Sequence, residues 1–307
     1  MKKLITLLLS LLLFSCSREN KREVAEPQPE CLSYAGKPLY AKVADPKALA
    51  KSDSIIGVIE TSNKWTEEDF IEVGKQLVAS NRYKRAVENY SEGLAKYPNS
   101  FKLLRYRGHR YITLRQLDKS IADLTKAEDL IRSEPDVWEY DLAGKPSTYQ
   151  HQIWYHIGVY HFLEKSYSEA AAAFEKSLAA TKENDGKELA GTSDWLYNSY
   201  SRSGQKEKAQ NVLKPFTLDF NIDDKDYIYY RRVLLFNGII TPDQLINKNK
   251  PIAEMTLQDI TKLYALANWR AYRGEKDQAM TLYKKILESK EWPAFAYACA
   301  EKEVEGK

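Results

Sequence analysis

One spacing constrains this chain more than any other feature. Trp154, Ile157, Gly158 and His161 are followed by Ala170 and Phe174, an alternation of large and small residues that lets two short helices cross closely and pack face to face. The pattern recurs. Gly74, Leu77, Ala86, Tyr90 and Pro98 carry it upstream, and Gly108, Tyr111, Ser120 and Leu124 repeat it after about 34 residues. Trp195, Tyr197, Tyr200, Gly204 and Ala209 mark a fourth unit, and Leu263, Leu266, Ala267, Gly274, Ala279 and Tyr283 a fifth. One such helix pair leaves much of its apolar surface in water, so successive pairs must stack into a continuous core.

Local signals place the ends of these helices. Asp45-Pro46 offers an N-cap followed by proline at the first helical position, opening a helix to about residue 60. Thr66 with Asp69, and Thr241 with Gln244, have the spacing of reciprocal caps. Residues 226–237 read as an aromatic-rich helix ended by Gly238, which with the short helix after Thr241 makes a degenerate pair. Pro293 opens a last helix expected to cap the array. Residues 133–150 are an insert between the second and third units, and such insertions emerge on one face.

The W-x2-L-G-x2-Y and A-x3-F spacing resembles the tetratricopeptide repeat (TPR), with His161 in place of the tyrosine. The resemblance implies an all-α fold: a right-handed superhelical solenoid of tetratricopeptide helix-turn-helix repeats over residues 45–307, about five with one further degenerate pair and terminal capping helices. The chain is also similar to a group of uncharacterised bacterial TPR lipoproteins, through residues 105–112, 153–158, 194–197 and 292–297. That likeness brings no activity or ligand with it.

The first residues read as an address. Lys2 and Lys3 precede an apolar run over 4–14, the charged start and short apolar core of a secretory signal, too short to span a bilayer comfortably. Leu13, Phe14, Ser15 and Cys16 resemble the lipobox of bacterial lipoproteins. This implies loss of residues 1–15 as signal peptide and lipid on Cys16, and more than one acyl chain there would give firm membrane attachment. Residues 16–44 are then the lipidated cysteine and a flexible tether, polar and charged over 17–30 with Pro27 and Pro29. With serine rather than aspartate at position 17, the likeness implies an outer-membrane lipoprotein of the bacterial cell envelope facing the periplasm.

Composition excludes several functions. Lys and Arg number 46 against 43 Asp and Glu, so a net charge of +3 gives no electrostatic footprint for nucleic acid. Cys16, Cys31 and Cys299 never approach C-x-x-C spacing, and an oxidising compartment would permit a Cys31–Cys299 disulfide that the spacing itself does not support. His151, His156 and His161 are five residues apart, a rotation of roughly 140° along a helix that points them apart rather than at one metal. There is no nucleophile elbow and no phosphate-binding loop. The expectation is a non-enzyme with no cofactor and no metal, serving a protein or peptide partner rather than a small molecule.

The resemblance also implies where a partner would sit, because in TPR folds the first helix of each pair lines a concave groove. The positions that map there include Lys102, Arg105, His109, Tyr155, Asp194, Asn198 and Arg202. This mixed basic and aromatic lining suits an acidic peptide, since Arg can hold a carboxylate through two parallel hydrogen bonds. Arg107 stands where the repeat normally buries leucine, with Asp123 on the facing helix as candidate partner. If that role is structural, Arg107→Leu should be tolerated. Trp138 and Tyr140 in the insert are apolar enough to fold over the groove or the array's edge, or the loop packs its own aromatics. A second function, glycan binding, is motivated by 21 Tyr and 6 Trp, although aromatics in this fold mostly fill helix interfaces.

The anchor has a direct check. Cys16→Ala should release the chain from the membrane fraction, and unchanged retention would remove the lipid reading.

Overall fold

Each regular helix pair turns on one residue with positive φ: Asn81 (60°), Arg115 (62°), Lys165 (59°), Gly204 (78°) and Gly274 (82°). A left-handed residue just past a helix end lets the chain fold back while its N–H groups satisfy the last carbonyls, as when Gln116 N donates to Tyr111 O at 2.8 Å. The conformation strains a non-glycine residue by about 1–2 kcal/mol. Three side chains are therefore kept at a position that glycine would fill more easily, and one of them closes the molecule.

The computed structural model describes residues 28–305 apart from 63, 136, 143, 183 and 184. The signal peptide, Cys16 and the first part of the tether lie outside the described residues. A two-stranded antiparallel hairpin, β1 (Cys31–Leu32) and β2 (Pro38–Leu39), precedes α1 (Pro46–Glu60). Regular pairs follow: α2 (Glu67–Ala79) with α3 (Tyr83–Lys96), and α4 (Phe101–Thr113) with α5 (Leu117–Ile131). The insert forms a second hairpin, β3 (Trp138–Tyr140) and β4 (Pro146–Thr148). Next come α6 (Tyr149–Leu163) with α7 (Tyr167–Ala179), α8 (Gly186–Arg202) with α9 (Lys206–Leu213), and the degenerate α10 (Ile228–Phe236) with α11 (Pro242–Leu245). A 3-10 turn at Ile252–Glu254 leads into α12 (Leu257–Tyr272) and α13 (Lys276–Ile286), and α14 (Phe295–Glu305) ends the chain. The fold is all-α, helices stacked as sequential pairs.

The repeat residues do what their spacing requires. A Cβ on Gly74 would sit 2.1 Å from the Tyr90 ring, and one on Gly158 2.6 Å from Phe174, so only glycine permits these crossings. Phe174 stacks on Trp195 of the next pair at 5.9 Å between ring centres, joining units into one core. Asp45 caps α1 through Lys47 N and Ala48 N at 3.1 and 3.0 Å. The reciprocal caps at Thr66–Asp69 and Thr241–Gln244 are both formed.

Arg107 makes a fork-to-fork pair with Asp123 at 2.7 and 2.8 Å and also donates to Ser91 Oγ at 3.0 Å. Asp123 is thus the partner, and the expectation that Arg107→Leu would be tolerated if the role is structural is corrected by this geometry. Removing the guanidinium would strand a buried carboxylate, Asp123 being 7% exposed.

Helix α14 is more than a cap, because it lies against the first helices of several pairs, inside the curve of the array. Phe295 meets His109 of α4 at 5.2 Å and His156 of α6 at 6.0 Å between ring centres. Glu303 pairs with Arg202 of α8 at 2.6 Å, and Lys302 with Glu164 after α6 at 3.3 Å. Arg115, at the α4–α5 turn, pairs with Glu301 at 2.9 Å and donates to the Trp292 and Thr113 carbonyls at 2.9 and 2.6 Å. Both members of that ion pair are almost fully buried.

The N-terminal segment joins the same closure. Trp292 Nε1 donates to Tyr40 O at 2.6 Å, Lys42 pairs with Glu291 at 2.5 Å, and Trp292 meets Tyr83 edge-on at 5.3 Å. Leu39 is buried, and Lys84 N holds the Glu30 carboxylate at 2.7 Å. From residue 28 onward the segment assigned to a flexible tether is thus fastened down. Cys31 and Tyr34 also pack against the core, while Leu32, Tyr40 and Val43 stay exposed. Cys31 and Cys299 are both free thiols.

Arg115→Met should lower stability by about 3–5 kcal/mol, because Glu301 is left charged and buried, and adding Glu301→Leu should restore much of the loss. Denaturant midpoints of the single and double variants test this. An unchanged midpoint in Arg115→Met would mean that closure does not rest on this pair.

Candidate functional site

The side chains mapped to the groove all lie on α4, α6 and α8, and all are engaged within the chain. Lys102 bridges Glu68 and, at 3.4 Å, Glu67 on α2. Arg105 pairs with Glu139 of the insert and donates to Gln152, each at 2.9 Å. His109 lies 4.0 Å from the His156 ring, centre to centre. The Tyr155 hydroxyl accepts a hydrogen bond from Trp195 Nε1 at 2.6 Å.

On α8 the expected open groove is corrected. Asp194 is fully buried against Arg232 of α10 at 2.7 Å, and burial pushes its carboxyl up to about 7. Asn198 Oδ1 accepts from Asn268 Nδ2 at 2.9 Å and from the Tyr272 hydroxyl at 2.8 Å. Arg202 reaches Glu303, Asn268 Oδ1 at 3.0 Å and the Tyr167 hydroxyl at 3.2 Å. Helices α10, α12 and α14 cover this stretch, so Asp194, Asn198 and Arg202 do not join Arg105, His109 and Tyr155 in one open surface.

What stays open is a recess of about 410 Å³ between α2, α4 and the β3–β4 hairpin. Its walls include Lys75, Val78, Tyr90, Arg105, Tyr106, His109, Arg110, Glu139 and Leu142. The alternation of a strand shapes it: Glu139 points inward to Arg105 while Trp138 and Tyr140, about half exposed, point away. The aromatics of the insert therefore do not fold over the groove; the carboxylate between them does. Lys75 Nζ, donating to Tyr140 O at 2.7 Å, ties the hairpin to α2.

Two residues of this recess escape a reading of repeat positions. Arg110 does not map to the groove positions of the repeat, and Glu139 belongs to the insert. The alternation Trp-Glu-Tyr was the available signal for Glu139. For Arg110 there was none, since its exposure to the recess depends on where the hairpin lands.

Behind His109 a second cavity of about 230 Å³ is lined by His151, Tyr155, His156, Glu188, Tyr229 and Phe295, among others. Burial holds the His109 and His156 imidazoles well below the ordinary histidine range, and the nearby arginines add to it. His151, depressed to about 4 by burial, stays neutral 3.6 Å from Glu188. Burial pushes Glu188 up to about 7, against the hydrogen bond it accepts from Ser147. Among the described residues no group of three or more His, Cys, Asp and Glu could hold a metal ion. No helix of the described residues is long and apolar enough to cross a membrane.

No family model matches the sequence, and no curated protein matches it. Solved structures do. A tetratricopeptide repeat protein from Parabacteroides merdae aligns over 81% of this chain and 92% of its own, with 12% identity and a TM-score of 0.48. MamA (MSR-1) aligns over 55% of this chain and 89% of its own, with 16% identity and a TM-score of 0.39.

Glu188 makes one pH dependence assignable. A carboxyl raised from about 4.3 in the unfolded chain to about 7 when folded favours the folded state while protonated. Its contribution is complete below the unfolded value and disappears as pH rises through 7. Between pH 5 and 8 the melting temperature of Glu188→Gln should therefore fall less than that of the parent chain; parallel melting curves would show that Glu188 does not titrate there.

Proposed function

We propose that this chain is a non-catalytic scaffold for protein–protein interaction, and that its partner docks on the outer face of the β3–β4 hairpin rather than along the concave groove. One observation carries this reading. Trp138, Tyr140 and Leu142 are 49%, 53% and 51% exposed in one short segment, in a chain whose other large apolar residues are mostly buried. Clustered exposed aromatics of this kind mark interaction surfaces. The inner face offers less, because most of the polar side chains mapped to the groove already have partners within the chain.

The cellular setting belongs to the same proposal. The pattern over residues 2–16 supports a lipid at Cys16 and a place on the bacterial outer membrane facing the periplasm, and it is the sequence alone that speaks for it. An envelope protein is accordingly the expected partner.

Glycan capture has one observation in its favour. Trp138 borders a recess of about 480 Å³ together with Lys145, Asp185, Lys187 and Asn221, a flat ring beside polar groups. Sugars bind to surfaces of that kind by stacking and hydrogen bonding.

The triple variant Trp138→Ala, Tyr140→Ala, Leu142→Ala changes exposed side chains, so its melting temperature should stay close to that of the parent. Crosslinking and co-purification from solubilised membranes should then lose the partner recovered with the parent chain. Equal recovery by both would sink the hairpin as docking site, and a glycan-array signal lost with Trp138→Ala alone would favour the second reading.

A further inference from the structure

We infer that the recess between α2, α4 and the β3–β4 hairpin is a site for a small carboxylate carried on a compact apolar body, with the Arg110 guanidinium as its counter-charge. Charge around the recess is unbalanced: Lys75, Arg105 and Arg110 line it against Glu139 and Asp141. Arg105 is matched by Glu139 at 2.9 Å, and Lys75 is held by the Tyr140 carbonyl. Among the described residues Arg110 has neither a carboxylate within ion-pair distance nor a hydrogen bond from its guanidinium. Its electrostatic neighbours are the phenols of Tyr90, Tyr83 and Tyr106 and the like charge of Arg105, and burial pushes it down to about 10.

A half-buried cation without a counter-charge loses hydration and gains no partner for it. Arg105, on the same helix, shows the alternative arrangement that this fold can supply. The recess is short of a single negative charge, which favours a monoanion over a phosphate dianion, since Glu139 and Asp141 already stand in its wall.

The other walls define the rest of the ligand. Tyr90 and Tyr106, stacked on each other at 5.7 Å and only 1% and 7% exposed, form the closed back wall, and Val78, Ala79 and Leu142 supply apolar area. His109 supplies an imidazole whose ring nitrogens hydrogen-bond to no described residue, and Arg105 Nε is buried without an acceptor. An extended peptide cannot run onward from here along the concave face, because α14 occupies it. The site is thus sized for a small molecule, and it shares only Leu142 with the docking surface proposed for the hairpin.

The probes are 3-phenylpropionate and its primary amide, titrated against the full chain and followed by ligand-observed NMR and thermal melting. The carboxylate should bind at least tenfold more tightly than the amide, the loss expected when a charge-assisted hydrogen bond is removed. Arg110→Gln should bind both compounds at the amide's level while melting no lower than the parent, and Arg110→Lys should keep the preference in part. The inference is overturned if neither compound binds, if the two bind alike, or if the preference survives in Arg110→Gln. An Arg110→Gln chain that fails to fold would mark the residue as structural and overturn it equally.

Discussion

The buried pair of Arg115 and Glu301 holds together parts of the chain that no local signal connects. Arg115 is one of three non-glycine residues at turns where glycine is easier, and its backbone strain is accepted so that a guanidinium can reach across the array. There it meets Glu301, the Trp292 carbonyl and the rings of Tyr34, Trp292 and Tyr297, each ring centre within 6 Å. A buried ion pair contributes modest net stability but punishes any arrangement that separates its members. Any closed arrangement that buried one charge without the other would incur that penalty, so the pair fixes the register in which the two ends meet.

Closure changes what the inner face is for. In an open solenoid the first helices present polar residues to a guest, whereas here α14 and α10 supply the guest from within. The side chains of Arg202, Asn268, Tyr283, Asn198 and Tyr272 form one connected hydrogen-bond network between α8, α12 and α13. Such a network rigidifies a core when its members are satisfied and is costly when it is broken. Closure leaves uncovered the two surfaces proposed above for binding: the outer face of the insert, and the recess the insert helps to build.

The insert illustrates how a three-residue strand divides labour. Successive side chains of a strand point to opposite faces, so Glu139 neutralises Arg105 inside while Trp138 and Tyr140 stay outside. The same alternation leaves Arg110, five residues along α4 from Arg105, without an equivalent carboxylate. One hairpin thus generates both an exposed aromatic surface and an uncompensated cation beneath it.

Much of this architecture was legible in the sequence because it is local. Helix caps at Asp45, Thr66 and Thr241, close crossings at Gly74 and Gly158, and the periodic large and small residues act within one or two turns or between adjacent pairs. The cap formed by Thr256 with Asp259 at the start of α12 has the same spacing and belongs with them. The groove residues were legible as inward-facing, but their partners were not. Arg232 for Asp194, Glu139 for Arg105 and Glu303 for Arg202 come from segments whose approach depends on the accumulated rotation of every pair between them. Repeat periodicity encodes how neighbours stack and leaves the path of the whole array to the sum of many small angles. The sequence by itself determined the helix pairs and their order; only the tertiary structure decided that the two ends meet, which charges are buried in doing so, and that Arg110 is left facing open space.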